Sequence, residues 1–231
     1  MRFWDDRVLY IDGEAIVIDK PAGLAVHPGA RTRESLEDFL HQLRFGFHRL
    51  PLPVHRLDRD TSGLMVVART RAAMDALVAL IAAREVTRQY LAMAHRPWQG
   101  AAARHVDAPI GRDPRNRLRM AVVDLQRHSG KTARTLIERV DDAAEGCLVR
   151  CTLETGRTHQ IRVHMASIGH PLVGDALYGG APAAGMQRQA LHAFRLAFVH
   201  PVTKQPMAFD SPLPPDMARA LTAWGLHYNL R

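Results

Sequence analysis

The sequence predicts an α+β fold around a largely antiparallel, mixed sheet. Three observations predict it: strand-like and helix-like segments alternate along the whole chain, hairpin signals recur, and no repeat or long linker interrupts them. At 231 residues the chain can bury a substantial core, and one domain over residues 1–231 is expected.

The elements follow in chain order. "VLYIDGEAIVIDKPAG" reads as two short strands around Asp12-Gly13, ending in a Lys20-Pro21-Ala22-Gly23 turn. In "RESLEDFLHQL", Leu36, Phe39, Leu40 and Leu43 recur at i, i+3, i+4, i+7, the spacing of an amphipathic helix. Pro51 and Pro53 punctuate, and the apolar run Leu64-Met65-Val66-Val67-Ala68 predicts a buried strand. Thr70 can cap a helix with Met74, Leu77, Val78 and Ile81 on its inner face. "VTRQYLAMA" alternates like a strand. Between Arg104 and Arg139 the texture changes to arginine-rich loops and hairpins. "CLVRCTLETG" is a further strand. After it Thr158 can cap a helix with Ile161, Met165 and Ile168 on one face, stopped by Gly169 and Pro171. "ALHAFRLAFVHP" is strand-like, and a short helix closes the chain.

Composition narrows the function. The longest apolar stretch, residues 76–83, is too short to span a bilayer, and "MRFWDDRVLY" carries acids where a secretory leader has an apolar core. No membrane association and a cytoplasmic location are the expectations. Cys147 and Cys151 are the only cysteines, and neighbours along one strand rarely have disulfide geometry, so free packed thiols are expected. The formal net charge is +8, and every basic residue except Lys20, Lys131 and Lys204 is arginine. Arginine matches phosphate bidentately and stacks on bases, so the balance points to nucleic acid, although a biased base composition also enriches arginine.

Two polar clusters stand out. In "HRLDRDTSG", residues 55–63, charge is concentrated at one point directly before the buried strand. If 54–58 is extended, Val54, Arg56 and Asp58 face one way and His55 and Leu57 the other, with Thr61-Ser62-Gly63 as the turn into the strand. Asp58 then stands on a stiff scaffold at a cleft mouth, or forms a structural pair with an arginine; the residues alone leave both open. The second cluster, "ETGRTHQIRVH", contains His159 and His164. Five residues apart on a helix is about 140° of rotation, so they cannot share a metal, and none is expected.

These stretches carry a resemblance. "HRLDRDTSGLMVVART", "RQY", "ETGRTHQIRVHMASIGHPLVGDALYG" and "LHAFRLAFVHP", with "IVIDKPAGLAVHPG" before them, are similar in order and spacing to the motifs of the RluA-type RNA pseudouridine synthases, from about residue 8 to 211. The resemblance implies a catalytic domain with a central active-site cleft and isomerisation of uridine to its C-glycoside within structured ribosomal or transfer RNA. It implies no cofactor. Asp58 would be the catalytic carboxylate, as nucleophile at sugar or base or as the base promoting elimination. Arg162 would keep a carboxylate ionised and oriented. Tyr90 would stack on the uracil and assist proton removal from C5; Arg88-Gln89 precedes it where relatives commonly carry lysine, so the charge beside that strand differs.

Extruding a base costs a few kcal/mol, and Arg56 is implied to fill the vacated space. Arg112, Arg115, Arg117, Arg119, Lys131 and Arg134 would grip the backbone. Larger relatives carry an N-terminal S4-type RNA-binding domain, for which this sequence shows no segment; a monomer is expected. Two alternatives remain: a nucleoside or sugar hydrolase pairing Asp58 with Asp60 or Glu154, and a noncatalytic RNA-binding protein.

Overall fold

The computed structural model describes residues 3–29 and 32–229. In chain order the elements are β1 (Val8–Ile11), β2 (Ala15–Lys20), α1 (Leu36–Phe39), β3 (Leu52–Pro53), β4 (Ser62–Ala68), α2 (Arg71–Ala82), β5 (Thr87–His95), β6 (Ala103–Asp107), β7 (Ile110–Arg112), β8 (Met120–Val122), β9 (Gly130–Lys131), β10 (Arg134–Asp142), β11 (Gly146–Leu153), α3 (Gln160–Ser167), β12 (Leu191–Val199), β13 (Pro206–Asp210) and α4 (Pro215–Trp224). They form two compact units, Met1–Arg88 with Ala193–Pro212, and Gln89–His192 with Leu213–Arg231.

In the first unit the strands run β1-β2-β4-β12, with β13 on β12 and β3 on β4. The β1–β2 hairpin turns at Asp12, whose carboxylate accepts from the backbone N–H groups of Glu14 and Ala15, both at 2.8 Å. All seven residues of β4 are buried, which is why its sequence is a continuous apolar run. Leu64, Val66 and Ala68 pack with Ala15, Val17, Leu196, Phe198 and the α2 residues Ala73 and Leu77. Thr70 caps α2, its hydroxyl accepting from the Ala73 N–H at 3.1 Å. The inner face of α2 differs from the expected one: Ala73, Met74, Leu77, Leu80 and Ile81 face the core, and Val78 is 42% exposed, one helical step beyond the stripe. The helix expected over 36–43 is a single α-turn continued as a 3-10 turn over Leu40–Leu43, with Leu36, Leu40 and Leu43 buried. Its start is fixed by Asp38, which accepts from the Ser35 N–H and hydroxyl.

In the second unit β5-β11-β10-β6 form an antiparallel sheet, and β8-β7-β9 a small separate one. Leu91, Met93, Leu148, Val149 and Ile137 are fully buried. Cys147 and Cys151 on β11 are free and buried. The small sheet packs on α3 through Ile110 and Met120 against Val163 and Tyr178. Helix α3 starts one residue later than expected. Its N-cap is His159 in the left-handed conformation (φ 57°), not Thr158, and Gly169 (φ 89°) follows its end. Gln160 to Met165 are all buried and only Ser167 at the end of α3 is exposed; Gln160, Arg162 and His164 are inside because each has a specific partner. No helix is long and apolar enough to cross a membrane among the described residues.

Candidate active site

Asp58 sits in the connection between β3 and β4, half-buried, and opens a tight turn: the Thr61 N–H donates to its carbonyl at 3.1 Å. The turn therefore spans 58–61, earlier than the expected Thr61-Ser62-Gly63, because Ser62 and Gly63 are already in β4. Gly63 has φ 117°, and a Cβ there would stand 2.2 Å from the Ala193 carbonyl oxygen, so only glycine lets β4 approach this backbone. The expected alternation over 54–58 is absent. Val54 and Leu57 are both buried and Arg56 is exposed, because the segment is irregular after Pro53.

The scaffold beneath Asp58 includes a residue that motif reading passed over. Lys20 is fully buried, and its ammonium donates to the carbonyls of Pro21 (2.7 Å), Leu24 (2.8 Å) and Arg59 (3.1 Å). The Gly23 N–H also donates to the Arg59 carbonyl at 2.8 Å. A buried charge satisfied by three carbonyls ties the 20–24 turn to the residue after Asp58. The only sequence signal for this was a lysine ending a buried strand. Arg59 and Asp60 form a forked pair at 3.1 and 3.0 Å. His55 accepts the Val66 N–H on Nε2 at 3.1 Å, and burial together with the Arg88 guanidinium holds its pKa down to about 3. The ring is neutral and orients the loop.

In the second unit Arg162 lies on α3, 6% exposed. Its Nε and Nη2 donate to the two carboxylate oxygens of Asp175 at 2.7 and 2.9 Å, and its guanidinium lies 4.9 Å from the centre of the Tyr178 ring. The Tyr178 hydroxyl accepts from the Met120 N–H at 3.0 Å and is 2.7 Å from His159 Nδ1. Asp175 and Tyr178 thus set the plane of Arg162, a role their "GDALYG" stretch did not reveal from spacing. Gln160 latches the preceding loop: its amide donates to the Arg134 carbonyl and the Thr135 hydroxyl, and its oxygen accepts from the Thr155 hydroxyl and the Arg157 N–H. His164 has Nδ1 2.9 Å from the Thr135 hydroxyl and Nε2 2.9 Å from the Ala108 carbonyl, and burial lowers its pKa. Its ring and that of His159 are thus held by different partners. Tyr90, on β5, is buried opposite Cys151 of β11.

The basic residues divide by environment. Arg112, Arg115, Arg117 and Lys131 are exposed on or beside the small sheet. Arg119 instead donates to the Asp113 carboxylate at 2.6 Å, which also accepts from the Arg115 N–H, shaping the 113–119 loop. Asp113 is held below the usual carboxylate range by these bonds, the Arg115 N–H first. Arg134 pairs with Glu154 at 3.4 Å, and His105 approaches the same carboxylate. Among the described residues no group of three or more His, Cys, Asp or Glu side chains could hold a metal.

Comparison with known proteins shows what the chain is similar to. The family model described as RNA pseudouridylate synthase matches residues 14–167. A ribosomal large subunit pseudouridine synthase D from Xanthomonas campestris pv. campestris is 45% identical, covering 94% of this chain and 69% of the relative. The protein of the same name from Nitrosomonas europaea is 44% identical, covering 94% of this chain and 64% of its own. The solved structure of Human RNA Pseudouridylate Synthase Domain Containing 4 is similar with a TM-score of 0.78 and 25% identity, covering 96% of this chain and 94% of that one. The match spans the stretches that build the Asp58 loop and the Arg162 helix, and it makes the chain a member of the RNA pseudouridylate synthase family, of the RluA type.

Proposed function

We propose that this chain converts uridine to pseudouridine at defined positions of structured ribosomal RNA, with Asp58 as the catalytic carboxylate. Family membership establishes RNA uridine isomerisation as the chemistry. Ribosomal RNA follows from the names of the relatives, and transfer RNA is the second substrate class. The reaction breaks the N1–C1′ bond, turns the uracil and joins C5 to C1′; no atom enters or leaves. One carboxylate suffices, as nucleophile or as base. The observation that carries the assignment is the anchoring of the Asp58 turn by the buried Lys20, which holds the backbone that presents a half-buried carboxylate before any substrate arrives.

The other roles follow. Arg162 presents a guanidinium oriented by Asp175, Tyr90 stacks on the uracil, and Arg56 replaces the extruded base. Arg112, Arg115, Arg117 and Lys131 hold phosphates, while Arg119 and Arg134 shape the surface that carries them. Residues 1–231 act as one catalytic domain, as a monomer, in the cytoplasm. Hydrolysis is disfavoured by the second carboxylate it needs: Asp60 is engaged with Arg59, and Glu154 with Arg134 and His105.

An unmodified large-subunit ribosomal RNA transcript incubated with the protein and digested to nucleosides tests this. Pseudouridine at the expense of uridine, with the RNA mass unchanged, is the expected result. Free uracil or abasic sites would establish the hydrolase, and unaltered RNA would remove the enzymatic reading.

A further inference from the structure

Three arginines are buried among the described residues: Arg69, Arg88 and Arg162. Arg69 donates to the carbonyls of Asp12, Arg44 and Phe45, and Arg162 to the Asp175 carboxylate. Arg88 differs. It is 7% exposed, and no hydrogen bond or ion pair within the described chain reaches its guanidinium; its Nε is buried without a partner. A buried cation without an anion costs several kcal/mol, so an unpaired one is retained where a ligand completes it.

A second donor stands beside it. His55 takes the Val66 N–H on Nε2, so its neutral ring carries its proton on Nδ1. Burial first, and the Arg88 guanidinium second, disfavour the imidazolium and keep the ring in this neutral, donating form. His55 is followed in the chain by the exposed Arg56 and then by Asp58. A buried guanidinium without an acceptor, and an imidazole N–H at the start of the loop that carries the proposed catalytic carboxylate, are the donors an anion would need. Of the two carboxylates along that loop, Asp58 is the proposed catalytic group and Asp60 is engaged by Arg59.

We propose that Arg88, with the Nδ1–H of His55, binds a phosphodiester of the substrate RNA next to the reacting uridine. The inference rests on the RNA reading above. A planar guanidinium takes two phosphate oxygens at once and the imidazole N–H a third contact, which fixes the backbone of the flipped nucleotide as well as attracting it.

The test is Arg88→Met in the full chain, probed with a large-subunit ribosomal RNA transcript. RNA affinity is measured across a salt series and thermal unfolding without RNA. The expected result is a protein at least as heat-stable as wild type, because a charge without a partner has been replaced by apolar atoms of similar volume. Its RNA affinity falls about tenfold, and the slope of log K against log salt becomes shallower by roughly 0.7–0.9. Unchanged affinity and slope overturn the proposal, as does a lower melting temperature with RNA binding intact, which marks Arg88 as a core residue. Should Arg88→Met not fold, Arg88→Gln is read by the same criteria. Failure of the wild-type protein to bind the transcript defeats the parent reading instead, so the two failures are distinct.

Discussion

The substitution Asp175→Asn removes one charge from a pair whose side chains are 8% (Arg162) and 2% (Asp175) exposed, joined by two bonds of 2.7 and 2.9 Å. Breaking a buried pair by neutralising one partner costs about 3–5 kcal/mol, because the remaining charge has no solvent to return to. Asparagine keeps one acceptor and the Tyr178 ring stays beneath the guanidinium, so the cost belongs at the lower end, about 3 kcal/mol. For a chain of this size each kcal/mol moves the melting temperature by about 2–4 °C, a loss of roughly 6–12 °C. Asp60→Asn is the internal comparison. Its pair with Arg59 is 58% and 31% exposed, worth less than about 1 kcal/mol. Calorimetry of both variants reads the stability difference, and single-turnover conversion at saturating RNA reads the consequence for Arg162. Asp175→Asn should slow conversion with little change in RNA affinity. Replacing both partners, Arg162→Met with Asp175→Leu, should recover stability without recovering activity, since an apolar pair removes the desolvation cost along with the charge. If Asp175→Asn is no more destabilising than Asp60→Asn, the carboxylate does not hold Arg162 as described.

Acid should weaken the fold through His55 and His164. Both are neutral when folded, with pKa values below that of the unfolded chain, so below about pH 6.5 the unfolded state binds protons that the folded state excludes. Their stabilising contribution is complete above that pH and is lost as pH falls, for His55 by at most about 2 kcal/mol between pH 6.5 and 5; denaturant titrations of wild type and His55→Gln should diverge in that window, and parallel curves would contradict the burial of the ring. Arg115→Ala and Arg117→Ala should each weaken RNA binding and reduce its salt slope by about one without changing the melting temperature, whereas Arg119→Ala should lower stability by releasing Asp113. Gly63→Ala should destabilise by more than about 3 kcal/mol, read by urea denaturation, since its Cβ would overlap the Ala193 backbone; a folded variant of near-normal stability would show that β4 can shift away.

Some of this architecture was legible in the sequence because local chemistry decided it. Asp12-Gly13 made its hairpin through an aspartate side chain reaching two residues on, Thr70 capped α2, and the apolar run at 64–68 became a strand covered on both faces. Periodicity misjudged what depends on tertiary context. Val78 matched the helical stripe by spacing yet lies at its edge, and α3 looked amphipathic although Gln160, Arg162 and His164 are buried against Asp175, Thr135 and the loop carbonyls. The alternation assumed for 54–58 failed because Val54 and Leu57 both turn inward once β3 ends at Pro53. Motifs could name candidates for the site, as at Asp58, Tyr90 and Arg162, whose roles are proposals. Lys20, Asp175 and Tyr178 escaped because what they hold in place includes partners distant in the chain, which leave no spacing pattern; Arg88 stands out in the sequence only as a change of charge beside Tyr90, because burial without a partner leaves no mark there.

Asp58→Asn, compared with wild type on one unmodified ribosomal RNA transcript, tests the central claim most directly, with pseudouridine yield and RNA affinity measured on the same preparations. The account predicts that the variant binds the transcript with near wild-type affinity and forms no pseudouridine. Conversion at the wild-type rate would contradict it, because the isomerisation would then proceed without the carboxylate to which it is assigned.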